Sequence, residues 1–136
     1  MDPRTKNLKG IRPEVQSAVL RTTIGDEERF QNETLRPIIK FQNNLFVEVF
    51  KNYINKHKGR FYELSGEERF HYIENSIQRD IKFRNSLKGM VIGQFTCEEY
   101  LEYIKNSSAL NKRMMNMVIE RLKDQVQLLQ VEVLAQ

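Results

Sequence analysis

Phe95-Thr96-Cys97-Glu98-Glu99-Tyr100 carries the clearest structural signal in the chain. Thr96 and Glu99 have the spacing of a capping box, in which the hydroxyl and the carboxylate satisfy each other's orphan backbone amides at a helix start. Phe95 and Tyr100 flank them at the positions of a hydrophobic staple. Glu98 and Glu99 fall in the first turn, where negative charge complements the helix dipole. A helix from 97 to 106 follows, and Asn106-Ser107-Ser108 breaks or re-caps it. The final helix runs from Ala109 towards Val131, with Leu110, Met114, Met117 or Val118, Leu122, Val126, Leu129 and Val133 on one apolar line.

Working back towards the N-terminus, Ser65-Gly66-Glu67-Glu68 is a second capping box, followed by Phe70, Ile73, Ile77 and Ile81 at helical spacing. After Ile81 the stripe changes phase. Phe83, Leu87, Met90 and Val91 lie on other faces, so the helix bends there or its later turns face another neighbour; Gly89 permits a bend and Gly93 an end. From Pro37 to Lys58 the apolar set is Ile38, Phe41, Leu45, Val49 and Tyr53, widened by Phe46, Phe50 and Ile54, with Gly59 as the stop. Pro37 removes an amide hydrogen and restricts Arg36, which predicts a kink or a restart with Thr34 as cap. Asp26 fits an N-cap, with Glu27 and Glu28 in the first turn. A short helix is expected from Pro13 to Thr22.

The fold class expected is therefore all-α: an elongated bundle of four to six helices with no sheet, over residues 26–136, preceded by a basic arm at 1–25. Surface scaling for a 16.2 kDa chain gives roughly 7,500 Å² exposed of about 23,500 Å² in the extended chain, enough burial for one core without a metal or disulfide. Helices of 22 and 28 residues would be about 33 and 42 Å long, against a domain diameter of roughly 37 Å. The bundle must then be elongated, or the helices must break, or they must pack on a second subunit. Leu128, Leu129, Val131, Val133 and Leu134 are apolar on more than one side of the last helix, which favours a two-fold homodimer with Leu122, Val126, Leu129 and Val133 near the contact.

Leu64–Ile77 and Phe95–Ser108 share six identities in fourteen positions, and Glu27-Glu28-Arg29-Phe30 echoes Glu67-Glu68-Arg69-Phe70. The unequal offsets fit a shared capping chemistry better than a solenoid.

The net charge of +4 is unevenly placed. Arg4, Lys6, Lys9, Arg12 and Arg21 face only Asp2 and Glu14 within the first 25 residues, and the body is nearly neutral. Such an arm touches nucleic acid or anionic lipid, or stays a solvated tail, the commoner outcome. In the body, Arg79, Lys82, Arg84 and Lys88 form the densest run, although helical spacing spreads them around the axis. They are the possible polar or basic site.

Known chemistries fail on residue types. There is no phosphate-binding glycine loop and no Gly-x-Ser-x-Gly elbow. One cysteine and two histidines cannot build a Cys/His zinc site in one chain. Glu68-x-x-His71 is half of a di-iron motif; its nearest counterpart, Glu99-x-x-Glu102, lacks the histidine, and Glu68 is occupied as a cap. Cys97 in a first turn gains from the dipole but sits beside Glu98 and Glu99. His57 reads as a surface residue at a Lys-rich helix end. Tyr62, Tyr72, Tyr100 and Tyr103 read as core or rim rather than base-stacking platforms, and Met114, Met115 and Met117 as core. No catalytic, cofactor or metal residues are assigned.

Thr34-Leu-Arg-Pro-Ile-Ile-Lys-Phe-Gln-Asn-Asn, Asp80-Ile-Lys-Phe-Arg-Asn-Ser-Leu-Lys-Gly-Met-Val-Ile-Gly and Asn106-Ser-Ser-Ala-Leu-Asn-Lys-Arg-Met-Met-Asn-Met resemble a small bacterial family of all-helical proteins without an established function, over residues 30–130. Some relatives carry the label "glyoxalase", which implies a βαβββ fold with His and Glu ligands on strands. This chain's residues show no such strands, and no site is carried over. The expectation is a cytoplasmic, non-enzymatic interaction or scaffold protein acting as a homo-oligomer, without cofactor or membrane span. The alternatives are a binder of nucleic acid or an acidic partner through the arm and Arg79–Lys88, and an enzyme or metal protein with an unrecognised site.

Overall fold

The computed structural model describes residues 2–15 and 25–129, which form an all-α bundle with no strand among them. Helix α1 is Pro3–Ile11. Helix α2, Asp26–Phe30, passes into a π-helical turn, Gln31–Leu35, and on into α3, Arg36–Phe41. Helix α4 is Asn43–Lys56, and a 3-10 turn at Arg60–Glu63 leads to α5, Gly66–Arg79. Then come α6, Ile81–Ile92, α7, Cys97–Tyr103, and α8, Ser107–Asp124. Further 3-10 turns occupy Ile104–Asn106 and Val126–Leu129. No helix among the described residues is long and apolar enough to cross a membrane.

Both long helices expected from the sequence are broken. Gln42 departs from helical geometry (φ −85°, ψ 2°) between α3 and α4, and its side-chain Nε2 donates to the Met90 carbonyl at 3.0 Å. Asp80 is extended (φ −85°, ψ 97°) and caps α6 by accepting the Phe83 amide at 3.2 Å. The break resets the phase of α6. Phe83, Leu87 and Val91 are buried, while Ile81, the last residue of the expected stripe, is 61% exposed. Phe41 and Leu45 are likewise exposed, and the core side of α3 and α4 is Ile38, Ile39, Phe46, Val47, Phe50 and Ile54. The longest helix, α8, has 18 residues, about 27 Å at 1.5 Å per residue. Breaking thus resolves the conflict between helix length and domain size.

Pro37 does not start a new helix at Thr34. The Arg36 amide bonds back five residues to the Gln31 carbonyl. This widened turn carries the helix through the stretch where Pro37 offers no donor. Thr34 is helical and buried rather than a cap.

Element ends follow local chemistry closely. Both capping boxes form, with the Ser65 and Thr96 amides bonded to Glu68 and Glu99 at 3.1 and 2.8 Å. At α2 the N-cap is Gly25, and Asp26 is the first helical residue. Phe95 packs on Phe30 and Tyr103, with ring centroids 5.5 Å away in each case, while its expected staple partner Tyr100 is 45% exposed. After α4, the Gly59 amide reaches the Ile54 carbonyl at 3.0 Å and Lys58 reaches Asn55 at 3.2 Å, a Schellman closure. Lys58 (φ 64°) and Gly59 (φ 66°) both adopt the left-handed conformation this requires.

Helix α8 is the axis of the bundle, packing on α3, α4, α5 and α6. It buries Leu110, Met114, Met115, Val118, Ile119 and Leu122, a stripe two residues wide. Leu122 and Leu129, expected at a dimer contact, are 1% and 0% exposed within one chain. They are core residues and offer no contact surface, because the last helix ends at Asp124 and the 3-10 turn folds Leu129 inwards. Val126 is half-buried against the same core, and Val133 lies outside the described residues.

The N-terminal segment is not a free tail. Its helix starts at Pro3, capped by Asp2, which accepts the Thr5 amide at 2.8 Å; of the helix expected at 13–22, Pro13–Val15 are non-helical and the rest lies outside the described residues. Arg4 donates to the carbonyls of Phe95 and Gly93 at 2.7 and 3.1 Å. Arg12 grips Glu99 with two 2.6 Å bonds and the Gln94 carbonyl at 2.8 Å. Glu99 thus caps α7 and anchors the segment together. Burial alone would raise its pKa, but Arg12, the Thr96 amide and the Thr34 hydroxyl outweigh burial and hold it below the ordinary 4.5.

Glu99→Gln keeps a capping-box residue but removes the charge Arg12 needs. Stability falls by about 1–3 kcal/mol, and amide hydrogen exchange quickens over Pro3–Ile11 while the Ile73–Leu87 core stays protected. In the native chain the anchor's contribution is complete above pH 4.5 and fades as pH falls through the lower folded value. Exchange of α1 amides across an acid titration, corrected for the intrinsic rate, measures this. A second test concerns the α4 terminus. Lys58→Gly relieves a left-handed side chain and raises stability by about 0.5–1 kcal/mol, readable as a melting shift of a few degrees.

Candidate functional site

The Schellman turn after α4 and the break after α5 leave their helix ends facing one another across a cleft of about 670 Å³. The last turn of α4 supplies Tyr53, Lys56 and His57, and the turn beyond it supplies Lys58 and Arg60. The last turns of α5 supply Tyr72, Asn75, Ser76 and Arg79, and Asp80 closes the end. Lys56 and Arg79 sit where helix dipoles favour cations. Lys58 and Arg60 lie past the helix end and gain less from it. None of the four takes part in an ion pair among the described residues, and all four are exposed.

Asp80 is the one carboxylate lining the cleft, and its oxygens are already engaged. One accepts the Phe83 amide at 3.2 Å and the other the Tyr53 hydroxyl at 3.0 Å. The Phe83 amide first, then Tyr53, then the charge of His57 hold its pKa below the ordinary value. Tyr53 is pushed up to about 12, by burial first and by the bond and charge of Asp80 second. Its ring is stacked 4.0 Å from Phe83 and lies 4.2 Å from His57, so it has no free face for a base or cofactor. Burial also raises Tyr72, against the opposing charge of Arg60, and the Ser76 hydroxyl is spent on the Tyr72 carbonyl at 2.7 Å. The hydroxyls and the carboxylate therefore organise the wall, while the four cations remain to meet a ligand.

The basic run expected at Arg79–Lys88 is divided by this architecture. Arg79 joins the cleft. Arg84 and Lys88 line a second groove, of about 420 Å³, with Lys112 of α8, and Lys82 is exposed. Arg84 is half-buried and donates to the Gln78 carbonyl at 2.7 Å, closing the end of α5. Lys56, Lys58 and Arg60 escaped the sequence reading because their partner across the cleft depends on where α5 stops. The available signal was Asp80, a capping residue placed where the apolar stripe changes phase.

The other residues singled out stay apart. Glu68 is engaged by the Ser65 cap, His71 is exposed, and no group of three or more His, Cys, Asp or Glu gathers among the described residues. Cys97 is exposed. Met114 and Met115 are core.

The Tyr53–Asp80 bond makes a sharp prediction. The phenolate absorbance of Tyr53 develops at about pH 12 and disappears from the titration in Tyr53→Phe. In Asp80→Asn that step moves to lower pH, because the carboxylate's charge no longer opposes ionisation. The raised value means the folded state favours neutral Tyr53, a contribution present below pH 10 and lost as pH rises towards about 12.

No protein-family model matches the chain, and comparisons with curated proteins and with solved structures find no match.

Proposed function

We propose that the chain is a non-enzymatic binding protein whose partner is the phosphate backbone of a nucleic acid. One observation carries this reading: among the described residues, Lys56, Lys58, Arg60 and Arg79 are exposed, engaged in no ion pair and gathered around one cleft whose single carboxylate is hydrogen-bonded. Placing four cations together is unfavourable without a compensating anion. A second basic groove, with Arg84, Lys88 and Lys112, begins at the same α5 end, since Gln78 lines it and Arg79 and Asp80 line the first. Two cation sets flanking one helix junction suit an extended polyanion better than a single small phosphate.

Base readout is not part of this reading. The rings of Tyr53 and Tyr72 pack against Phe50, and Tyr53 also against Phe83, so contacts are to phosphates and largely independent of sequence. The arm contributes less than its composition suggests, because Arg4 and Arg12 are consumed inside the molecule.

Fluorescence anisotropy with a labelled single-stranded oligonucleotide across a salt series tests this. Four to seven phosphate contacts give a slope of log K against log salt of about −3 to −5. Replacing Lys56, Arg60 and Arg79 together by glutamine reduces that slope by about 2 and weakens binding at least tenfold at low salt. Absence of binding at low salt, or a slope the triple variant leaves unchanged, refutes the proposal.

A further inference from the structure

A second cleft, of about 490 Å³, lies on the opposite side of α8 from the α5–α6 pair, between the π-helical turn and the last turns of α8. It falls within the usual volume of small-ligand sites. Its chemistry differs from that of the basic cleft. Three guanidiniums line it, Arg36, Arg113 and Arg121, together with carboxamides including Gln31 and Gln125. Ile39 and Met117 give an apolar floor, and Glu120 and Asp124 of α8 add two carboxylates.

The guanidiniums are not equivalent. Arg113 is committed to Gln31 at 2.7 Å and to Glu27 at 3.5 Å. Arg121 is fixed by Asn43, which exchanges side-chain hydrogen bonds with Gln125 at 2.6 and 2.7 Å. Arg36 has one side-chain bond, to Asn32 at 3.2 Å, and takes part in no ion pair among the described residues. Its Nε is buried with no hydrogen-bond partner there. A half-buried cation in that state is costly unless an anion meets it. The π turn is what brings it to the cleft. By bonding Arg36 back to Gln31, it stacks two residues five apart on one helix face, and such turns recur at functional sites.

We infer that this cleft binds a small organic carboxylate, held by the guanidinium forks of Arg36 and Arg121. A planar carboxylate accepts two parallel bonds from such a fork. With Arg113 already paired to Glu27, the cations left for a ligand are Arg36 and Arg121, and Glu120 and Asp124 oppose a phosphate dianion. The apolar floor takes a carbon skeleton, and the carboxamides take its further polar groups.

The test reads the arginine Nε–H resonances of nitrogen-labelled protein by NMR during titration with butyrate, benzoate and inorganic phosphate. Butyrate or benzoate shifts the Arg36 resonance saturably, with a dissociation constant at or below about 1 mM, and phosphate binds at least tenfold more weakly. In Arg121→Gln, chosen because it leaves the π turn intact, carboxylate affinity falls at least tenfold, and Arg36→Gln abolishes the shifts of the neighbouring Gln31 and Gln125 amides. Oligonucleotide binding at the basic cleft is unchanged in both variants, so the two sites fail or stand separately. No saturable shift, phosphate binding as tightly as the carboxylates, or shifts that persist in both variants overturns the inference.

Discussion

The carboxylate of Asp80 fixes the helix break on which the core and the basic cleft both depend. One oxygen ends the ambiguity of residues 66–92 by capping α6, and the other fastens the end of α4 through Tyr53. Without the first bond, nothing local stops α5 at Arg79, because the residues beyond it are competent helix formers. A continuous helix would carry Phe83, Leu87 and Val91 off the core side and bring Ile81 onto it. The break therefore decides which residues form the core, and the cleft is its by-product: two helix ends stop beside each other, each bringing the cations that helix ends favour.

Much of the architecture was legible in the sequence because it rests on local chemistry. Both capping boxes and the stop near Gly59 depend on residues within a turn of one another. What escaped was non-local. The stripe drawn through Phe41 and Leu45 was centred one face away from the core, which its flanking residues Phe46, Phe50 and Ile54 form, and the Gln42 side chain meets a carbonyl 48 residues away. The Pro37 problem was seen, but its solution, a π turn, costs little only because α8 packs against that turn. Composition could not show that Arg12 belongs to Glu99, a contact spanning 87 residues. Of the basic run, Arg79 was identified but its cleft partners were not, because proximity of Lys58 and Arg79 requires both helix ends at once.

The same remoteness changes the meaning of the positive charge. In the sequence the excess belongs to the first 25 residues, which would make the arm the contact surface. In the folded chain the arm's arginines are largely spent: Arg4 closes carbonyls at the end of α6 and Arg12 neutralises a half-buried glutamate. The nearly neutral body is where charge is left unpaired. Several of its acids are occupied as caps or partners, Glu68 with Ser65, Glu74 with Lys123, Glu99 with Arg12 and Asp80 with Tyr53. A net charge near zero thus coexists with a strongly positive local field.

This distribution also separates the two clefts by ligand class. Field strength at a site depends on which charges remain after internal pairing, and here the two differ in sign balance more than in volume. Around Tyr53 a single carboxylate faces four cations, so the balance there stays positive and favours a chain of phosphates. Around Arg36, Glu120 and Asp124 stay within the lining and limit the charge that can enter. Selectivity between a polyanion and a monoanion then needs no difference in cation type. It follows from how many carboxylates stand beside the cations of each cleft.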